Sequence, residues 1–240
     1  MRIPLIYIPK TTFKKFLYIN KRFKSNKLII PLGCDCHPAY MLNSLYLRNI
    51  SLPFDWLNID PIRTFEYVTE NINDEFENFL KVPKLNERGY FISEHYSYSE
   101  FIHEKNLNNQ ETINKFKRRI ERFLDLIKKE QIAFLHNFPV NSLQKESDIY
   151  KYVNSIKLFK SLILPNSNIH IYLRYDENLF ENEFLSEKLY NELNNLNVKT
   201  YKYVRGLKKN GIWGLKSFYY SLLLNLGIKV KMRIPKIFIK

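Results

Sequence analysis

The chain has 240 residues, of which 45% are hydrophobic and 26% charged, and it contains only 6 glycines and 10 prolines. This composition is sufficient for one large domain with a buried core and excludes collagen-like, low-complexity and disordered chains. The two cysteines, Cys34 and Cys36, are too few for a disulfide framework. We therefore expect a reducing, cytoplasmic compartment.

The formal net charge of +14 is concentrated at the two ends of the chain. Residues 1–27 contain eight basic residues, residues 202–240 contain ten, and neither segment contains an acidic residue, whereas the middle carries 20 basic and 24 acidic residues. Basic ends with interspersed apolar residues suit an anionic membrane surface, although solvated lysines are the simpler alternative. The acidic middle argues against nucleic acid as a partner.

No stretch reaches the roughly 18–20 apolar residues that a membrane-spanning helix requires. The apolar run at 3–8 is broken by Pro4 and precedes no cleavage site of small residues, so we expect no signal peptide. The sequence thus predicts a cytoplasmic protein whose membrane association, if any, is peripheral and at the inner face.

Hydrophobic periodicity predicts strands and helices that alternate along much of the chain. In chain order we expect a strand at 27–32, helices at 36–48 and 60–73, a mixed aromatic region at 74–110, a helix at 111–129, a strand at 131–135, a helix at 148–164, a strand at 169–173, a helix at 183–196, a strand at 198–204 and a helix at 215–226.

Apolar strands that alternate with helices are typical of a parallel sheet. The sequence therefore predicts an α/β fold, a three-layer domain with a mostly parallel sheet covered by helices on both faces. We expect a basic N-terminal segment at 1–26, an α/β catalytic-type domain at 27–205, and a basic C-terminal helix and tail at 206–240.

The carboxyl end of the first predicted strand carries the segment LGCDCHP, residues 32–38. Open parallel sheets bind ligands at this edge. Gly33 permits a tight turn, and Cys36 falls at a helix start, where unpaired N–H groups and the helix dipole favour the thiolate. A nucleophilic cysteine needs this environment, although a lone cysteine at a helix start is more often structural.

Motifs for metals and nucleotides are missing from the sequence. Cys34, Cys36 and His37 form a compact donor cluster, but no second pair occurs at zinc-site spacing. The glycine-rich phosphate-binding motifs of P-loop and dinucleotide-binding proteins are also missing. We therefore expect no metal and no cofactor.

Four ordered blocks of the sequence resemble an uncharacterised family described as papain-like cysteine peptidases. The blocks are Gly33-x-x-Cys36, Pro-Phe-Asp-Trp at 53–56, Phe-Ile-His-Glu at 101–104 and Arg-Arg-Ile-Glu-Arg-Phe at 118–123. In the third block, Glu104 stands where the family has aspartate. The resemblance covers about residues 28–175 and leaves the basic ends outside.

The resemblance implies a Cys/His-dependent hydrolase or acyl transferase in which Cys36 is the nucleophile and His103 the general base. Asp55 would orient the imidazole or bind substrate. His95 is a competing base, and a transferase on a scaffold other than papain's fits the same residues. The candidate residues for binding a small-molecule, glycan or peptide substrate are Trp56, Arg118, Arg119, His95 and His136.

Each block also has a purely structural interpretation. The 53–56 block fits a corner in which proline fixes the backbone and Asp55 caps a turn. Arg118 and Arg119 fit the solvated face of an amphipathic helix, although arginines also bind phosphate or carboxylate groups.

A second function class is a metal-independent glycosyltransferase, or another surface-polysaccharide-modifying enzyme, at the inner membrane face. An α/β domain with basic, apolar ends suits such an enzyme. The sequence contains no Asp-x-Asp motif, which argues against the metal-dependent type.

Overall fold

A computed structural model of the chain describes residues 2–7, 9, 12–176, 182–206 and 211–239. The strands in these ranges are β1 (Arg2–Tyr7), β2 (Lys14–Ser25), β3 (Leu28–Pro31), β4 (Asn58–Ile59), β5 (Lys84–Leu85), β6 (Phe91–Ile92), β7 (Ser99–Phe101), β8 (Ile132–Pro139), β9 (Asn168–Asp176), β10 (Lys199–Arg205) and β11 (Val230–Ile239). The helices are α1 (His37–Ser44), α2 (Thr64–Asn73), α3 (Gln110–Lys129), α4 (Glu146–Leu162), α5 (Glu183–Asn195) and α6 (Tyr219–Asn225).

The central sheet has four strands in the order β10-β9-β8-β3, and every neighbouring pair is parallel. The predicted α/β fold with a parallel sheet is therefore confirmed. Every residue of β8 is buried, as expected for a continuous apolar strand in the middle of such a sheet. All the helices and long strands predicted after residue 110 are present, with small differences at their ends.

Successive residues of the central strands belong to two separate hydrophobic clusters. Phe134 lies in one cluster with Phe159 of α4, and the two ring centroids are 5.0 Å apart. The next residue, Leu135, lies in the second cluster with Leu42 of α1 and Leu222 of α6. Because side chains alternate between the faces of a strand, two cores are what a three-layer domain requires. The layering itself stays a prediction.

Two further sheets are antiparallel, so the prediction of a mostly parallel sheet holds for one sheet of the three in the described residues. One of them, in the order β4-β7-β6-β5, runs through the mixed aromatic region and its neighbourhood. Its strands have only two or three residues each, too few for a periodic pattern to indicate their pairing. Aromatic side chains form the core beside it, including Phe79 and Phe101, whose ring centroids are 5.3 Å apart.

The two basic ends meet in the third sheet, which has the order β1-β2-β11. β2 and β11 pair antiparallel, and Tyr18 stacks on Phe238 with ring centroids 5.2 Å apart. The segment and the tail that the sequence suggested thus include paired strands, while the predicted domain limits stay predictions. The basic residues Lys10, Lys208, Lys209 and Lys240 lie outside the described residues.

The first helix is shorter than predicted and ends at Ser44. Tyr46 follows with φ of 59°, a left-handed conformation, and the N–H of Leu47 donates to the carbonyl of Leu42 at 2.9 Å. This is the usual geometry of a helix C-terminus, here with a tyrosine where glycine is common. Within the described ranges, no helix is both long and apolar enough to cross a membrane.

Candidate active site at the carboxyl edge of the central sheet

The turn from β3 to α1 carries Cys36 at the carboxyl edge of the parallel sheet. The N–H of Leu32 still bonds to the sheet, at 2.8 Å from the carbonyl of Leu135, and Cys36 is the N-cap of α1. The turn is so tight that a Cβ on Gly33 would lie 2.2 Å from the carbonyl oxygen of Asp35. Only glycine fits there without displacing the backbone.

The small antiparallel sheet brings His103 to this turn. The N–H of Ile59 in β4 donates to the carbonyl of Cys34 at 2.8 Å, so β4 lies against the β3–α1 turn. β7 pairs with β4, with Ser99 opposite Ile59, and His103 lies two residues after the end of β7. His103 therefore reaches Cys36 although the two residues are 67 positions apart in sequence.

The Sγ atom of Cys36 lies 3.2 Å from Nε2 of His103, within hydrogen-bond distance for sulfur. Cys36 is only 9% exposed, whereas His103 is exposed. The ring of Trp56 meets the imidazole edge to face with 5.7 Å between centroids. The structure thus places a thiol, an imidazole and an indole from three predicted blocks at one point.

The predicted lowering of the Cys36 pKa is wrong in direction. Burial and the neighbouring Asp35 carboxylate together raise the pKa of Cys36 to about 11. The carboxylate also accepts the N–H of His37 at 2.9 Å, so this unpaired N–H group at the helix start is not available to the thiol. The Cys36 thiol consequently keeps its proton at neutral pH.

Asp35 belongs to a chain of four charged side chains at the carboxyl ends of β9 and β10. Asp35 pairs with Arg174, Arg174 lies 3.3 Å from Asp176, and Asp176 binds Arg205 through contacts of 2.6 and 2.7 Å. The amide of Asn137 donates to Asp35 at 3.1 Å. Burial by itself would raise the pKa of Asp35, but Arg174 and the hydrogen bonds hold it below its usual value.

His37 is buried beside this network. Its Nε2 donates to the carbonyl of Trp213 at 3.1 Å, so its Nδ1 must accept the hydroxyl of Tyr172, at 2.6 Å. Burial lowers the pKa of His37 to about 4. The ring is therefore neutral at pH 7 and is fully occupied by its two partners.

The structure does not bring Asp55 to the imidazole. The Asp55 carboxylate accepts Nε and Nη2 of Arg48 at 3.0 and 2.5 Å and the N–H of Leu52 at 2.9 Å, and the residue is 1% exposed. Among the described residues, none of its contacts is to His103. Burial raises the pKa of Asp55, against the effect of Arg48. These contacts favour the structural corner over an orienting role.

The other two candidate histidines contact residues other than Cys36. His95 is exposed, with its ring against Tyr96 at 4.7 Å. His136 is buried, donates from Nδ1 to the carbonyl of Leu32 and meets the ring of Phe65 at 5.0 Å. Burial lowers the pKa of His136 to about 4. A buried neutral histidine bonded to the carbonyl of the residue that follows β3 is a core residue.

The candidate arginines differ from each other. Arg118 is exposed, whereas Arg119 is half-buried, with its guanidinium 5.3 Å from the ring centroid of Phe116. Burial lowers the pKa of Arg119, while the carboxylates of Asp55 and Glu104 act in the opposite direction. Arg119 thus has electrostatic contacts with Asp55 and with Glu104, the neighbour of His103 in the chain.

The sequence analysis missed the Asp35–Arg174–Asp176–Arg205 network. A signal was present, because Arg174, Asp176 and Arg205 stand at the ends of apolar strands, at the edge where ligands bind. It also missed Arg48, because its partner Asp55 was predicted to orient the imidazole or to bind substrate. As for metals, the described part of the chain contains no group of three histidine, cysteine or carboxylate side chains able to hold an ion.

Comparisons with known proteins assign the chain to a family. Residues 27–164 match the model of the family described as "Putative papain-like cysteine peptidase (DUF1796)". The uncharacterized protein R408 of Acanthamoeba polyphaga mimivirus is 29% identical over 176 residues, which are 62% of this chain and 77% of that protein. No solved structure matches the chain. Because the family model covers more than half of its residues, the chain belongs to the family that carries this description.

Proposed function

We propose that the protein is a cysteine-dependent hydrolase or acyl transferase with Cys36 as nucleophile and His103 as general base. The observation that carries the proposal is the 3.2 Å contact between Sγ and Nε2 at the carboxyl edge of a parallel sheet. Membership of the family supports a cysteine-dependent hydrolase at a coarse level.

The chemistry starts from the protonated thiol of Cys36. As the sulfur attacks the carbonyl carbon of the substrate, Nε2 of His103 takes the thiol proton. The tetrahedral intermediate then expels its leaving group, which receives this proton, and a thioester remains on Cys36. Water or another acceptor loses a proton to His103 and attacks the thioester, and the departing sulfur regains the proton. Water as acceptor gives hydrolysis, and any other acceptor gives acyl transfer.

The raised pKa of Cys36 makes the base essential in this scheme. A thiol that is not ionised in advance is a weak nucleophile and reacts by losing its proton in the attack itself. Trp56 limits the rotation of the imidazole through its edge-to-face contact and so acts as a positioning residue. Trp56 and Arg119 are the substrate contacts we favour, and Arg118 is exposed on the same helix.

The alternative, a metal-independent glycosyltransferase or other polysaccharide-modifying enzyme, does not require a reactive thiol. It therefore predicts that Cys36 is dispensable for activity. The substrate, whether small molecule, glycan or peptide, also stays a prediction.

Alkylation by iodoacetamide followed by peptide mass spectrometry tests the proposal without a known substrate. Cys36 should react before Cys34, which is 2% exposed and whose pKa burial raises well above its usual value. The rate at Cys36 should rise with pH, and His103→Ala should slow it at pH 7 by at least about tenfold, because general-base assistance is lost. p-Nitrophenyl acetate should acetylate the same cysteine.

His95→Ala is the matched control, since its imidazole is exposed and contacts Tyr96 instead. We expect no change in the Cys36 rate for this variant. Equal and slow labelling of both cysteines, or an unchanged rate in His103→Ala, would contradict the proposal. It would indicate a structural role for Cys36 and favour the glycosyltransferase alternative.

We also propose that the β1-β2-β11 sheet associates peripherally with an anionic membrane at its cytoplasmic face. What supports this is the combination of basic side chains on β2 and β11 with exposed apolar side chains on β11, where Ile234 is 87% and Ile237 58% exposed. An interfacial segment needs such a combination of basic and apolar side chains.

A further inference from the structure

A cleft of about 870 Å³ lies between the end of α1, strands β2 and β11, and the segment that leads into α6. It is separate from the Cys36–His103 pair, and the proposed chemistry does not use it. Its volume is within the roughly 300–1,000 Å³ that is typical of small-molecule sites. The cleft is therefore large enough for a ligand of nucleotide or sugar-phosphate size.

The side chains lining the cleft are basic and polar. Five cations line it, and the described lining includes no carboxylate. Arg48 is neutralised by Asp55, but the other four form no ion pair with any residue that the structure describes. These four are Lys21, Arg22, Lys216 and Arg233. A concave surface with several unneutralised cations concentrates anions.

Two of these cations oppose each other directly. Arg22 in β2 and Arg233 in β11 are register partners in the antiparallel pair. Like charges at directly opposite positions destabilise a sheet. In addition, Nε of Arg22 is buried and has no hydrogen-bond partner among the described residues. An anion bound between the two guanidinium groups would remove the repulsion and supply the missing acceptor.

Aromatic side chains complete the cleft. The hydroxyl of Tyr46 accepts the amide of Asn20 at 3.0 Å, and the ring lies 5.6 Å from the guanidinium of Arg22. Tyr220 stacks on Phe23 with ring centroids 4.8 Å apart. Rings beside guanidinium groups suit a ligand that carries a flat or apolar part as well as its charge.

We propose that this cleft binds a phosphorylated ligand, with a phosphoryl group held between Arg22 and Arg233 and further oxygens facing Lys216. The ligand's remaining part would lie against Tyr46 and the polar end of α1. The phosphoryl group has two possible sources, a free phosphorylated small molecule or the headgroup of an anionic lipid. The inference does not depend on the proposed reaction at Cys36.

Titration calorimetry of the full chain with inorganic pyrophosphate tests the cleft. We expect saturable binding with one site per chain, and weaker binding as salt concentration rises. Arg22→Gln combined with Arg233→Gln should weaken this binding by at least about tenfold, because charge-assisted hydrogen bonds are lost. The matched control is Lys117→Gln with Lys157→Gln, which removes the same charge from exposed positions on α3 and α4.

The double arginine variant should remain folded, since removing an opposed charge pair costs the sheet nothing. Its melting temperature checks this directly. Vesicles with and without phosphatidylglycerol distinguish the sources: competition with pyrophosphate for the chain identifies a headgroup, and no competition identifies a free ligand. The absence of pyrophosphate binding in the folded wild-type chain, or equal weakening in both double variants, overturns the proposal.

Discussion

Cys36 and His37 are adjacent residues that both remain neutral at pH 7, because both are largely removed from water. Burial and the Asp35 carboxylate raise the pKa of Cys36, whereas burial lowers that of His37 despite the same carboxylate. In each case the uncharged form is the one that burial favours. The negative charge beside them is held by Asp35, whose partner is Arg174.

The buried histidines predict how stability depends on pH. His37 and His136 have pKa values near 4 in the folded protein, against about 6.5 when unfolded. Between these values the unfolded chain binds more protons, so the free energy of unfolding should fall as pH drops from about 6.5 to 4, by about 3 kcal/mol for each histidine. Above about pH 6.5 these two residues should contribute no slope. Urea unfolding across this range measures the loss.

Two variants separate this effect from other titrations. His136→Gln keeps a donor for the Leu32 carbonyl but cannot be protonated, and it should remove about half of the slope that His37 and His136 contribute together. His95→Gln, at an exposed position, should leave the slope unchanged. Burial raises the pKa of Asp55, so its titration changes the free energy of unfolding with pH in the opposite direction. Asp55 is present in both variants, and the difference between their slopes is therefore the informative quantity. A His136→Gln chain with the wild-type slope would contradict the assignment.

At the scale of elements, the active-site geometry depends on how two short strands contact one turn. β4 bonds to the carbonyl of Cys34, and β7 pairs with β4, so these elements together set the distance between Cys36 and His103. The turn itself closes because Gly33 has no Cβ. The position of the thiol thus depends on a backbone contact rather than on its own side-chain partners.

Gly33→Ala should open this turn. The added methyl group would lie 2.2 Å from a backbone oxygen, which cannot move without shifting the start of α1. We expect a loss of stability of about 2 kcal/mol or more and slower alkylation of Cys36. Denaturant unfolding and the labelling assay measure the two effects.

Gly89→Ala is the comparison for this variant. Its φ is +76°, but nothing lies within 4 Å of the added atom, so it should cost only about 1 kcal/mol and leave the labelling rate unchanged. A Gly33→Ala chain with wild-type stability and a wild-type labelling rate would contradict the prediction that a methyl group does not fit in this turn.

At the scale of the whole molecule, the charge is divided between an acidic middle and one basic sheet. The two basic ends are far apart in sequence and adjacent in space, since β2 and β11 pair over most of their length. Charges that would otherwise belong to two independent segments thus act as one surface. Near an anionic leaflet each basic residue contributes on the order of 1 kcal/mol.

The chain should float with vesicles containing phosphatidylglycerol and not with vesicles of phosphatidylcholine alone. Salt should weaken the association, because it screens the lysines. Ile234→Ser with Ile237→Ser should also weaken it, through lost apolar insertion. Leu158→Ser with Phe184→Ser, at positions 61% and 65% exposed on α4 and α5, is the control and should have no effect. Flotation that does not depend on lipid charge would contradict the proposal and would indicate that the lysines only increase solubility.

Local pattern was sufficient for much of the fold. The apolar runs at β8 and β9 are buried almost throughout, and an apolar stripe on α3 carries the buried Phe116 and Phe123, so the predicted strands and helix follow directly from periodicity. Gly33 and Cys36 could be placed at the end of a strand and the start of a helix for the same reason. These are short-range properties that each segment carries in its own residues.

The remaining features are long-range and required the folded chain. β4 and β7 are too short to have a period, and their pairing decides that His103, rather than His95 or His136, contacts Cys36. The pKa of Cys36 depends on how much water burial removes and on the Asp35 carboxylate, both of which oppose the helix-start effect that the sequence suggested. The union of the two basic ends, and the cleft that opens beside them, likewise comes from strand pairing across the full length of the chain, which no local segment encodes.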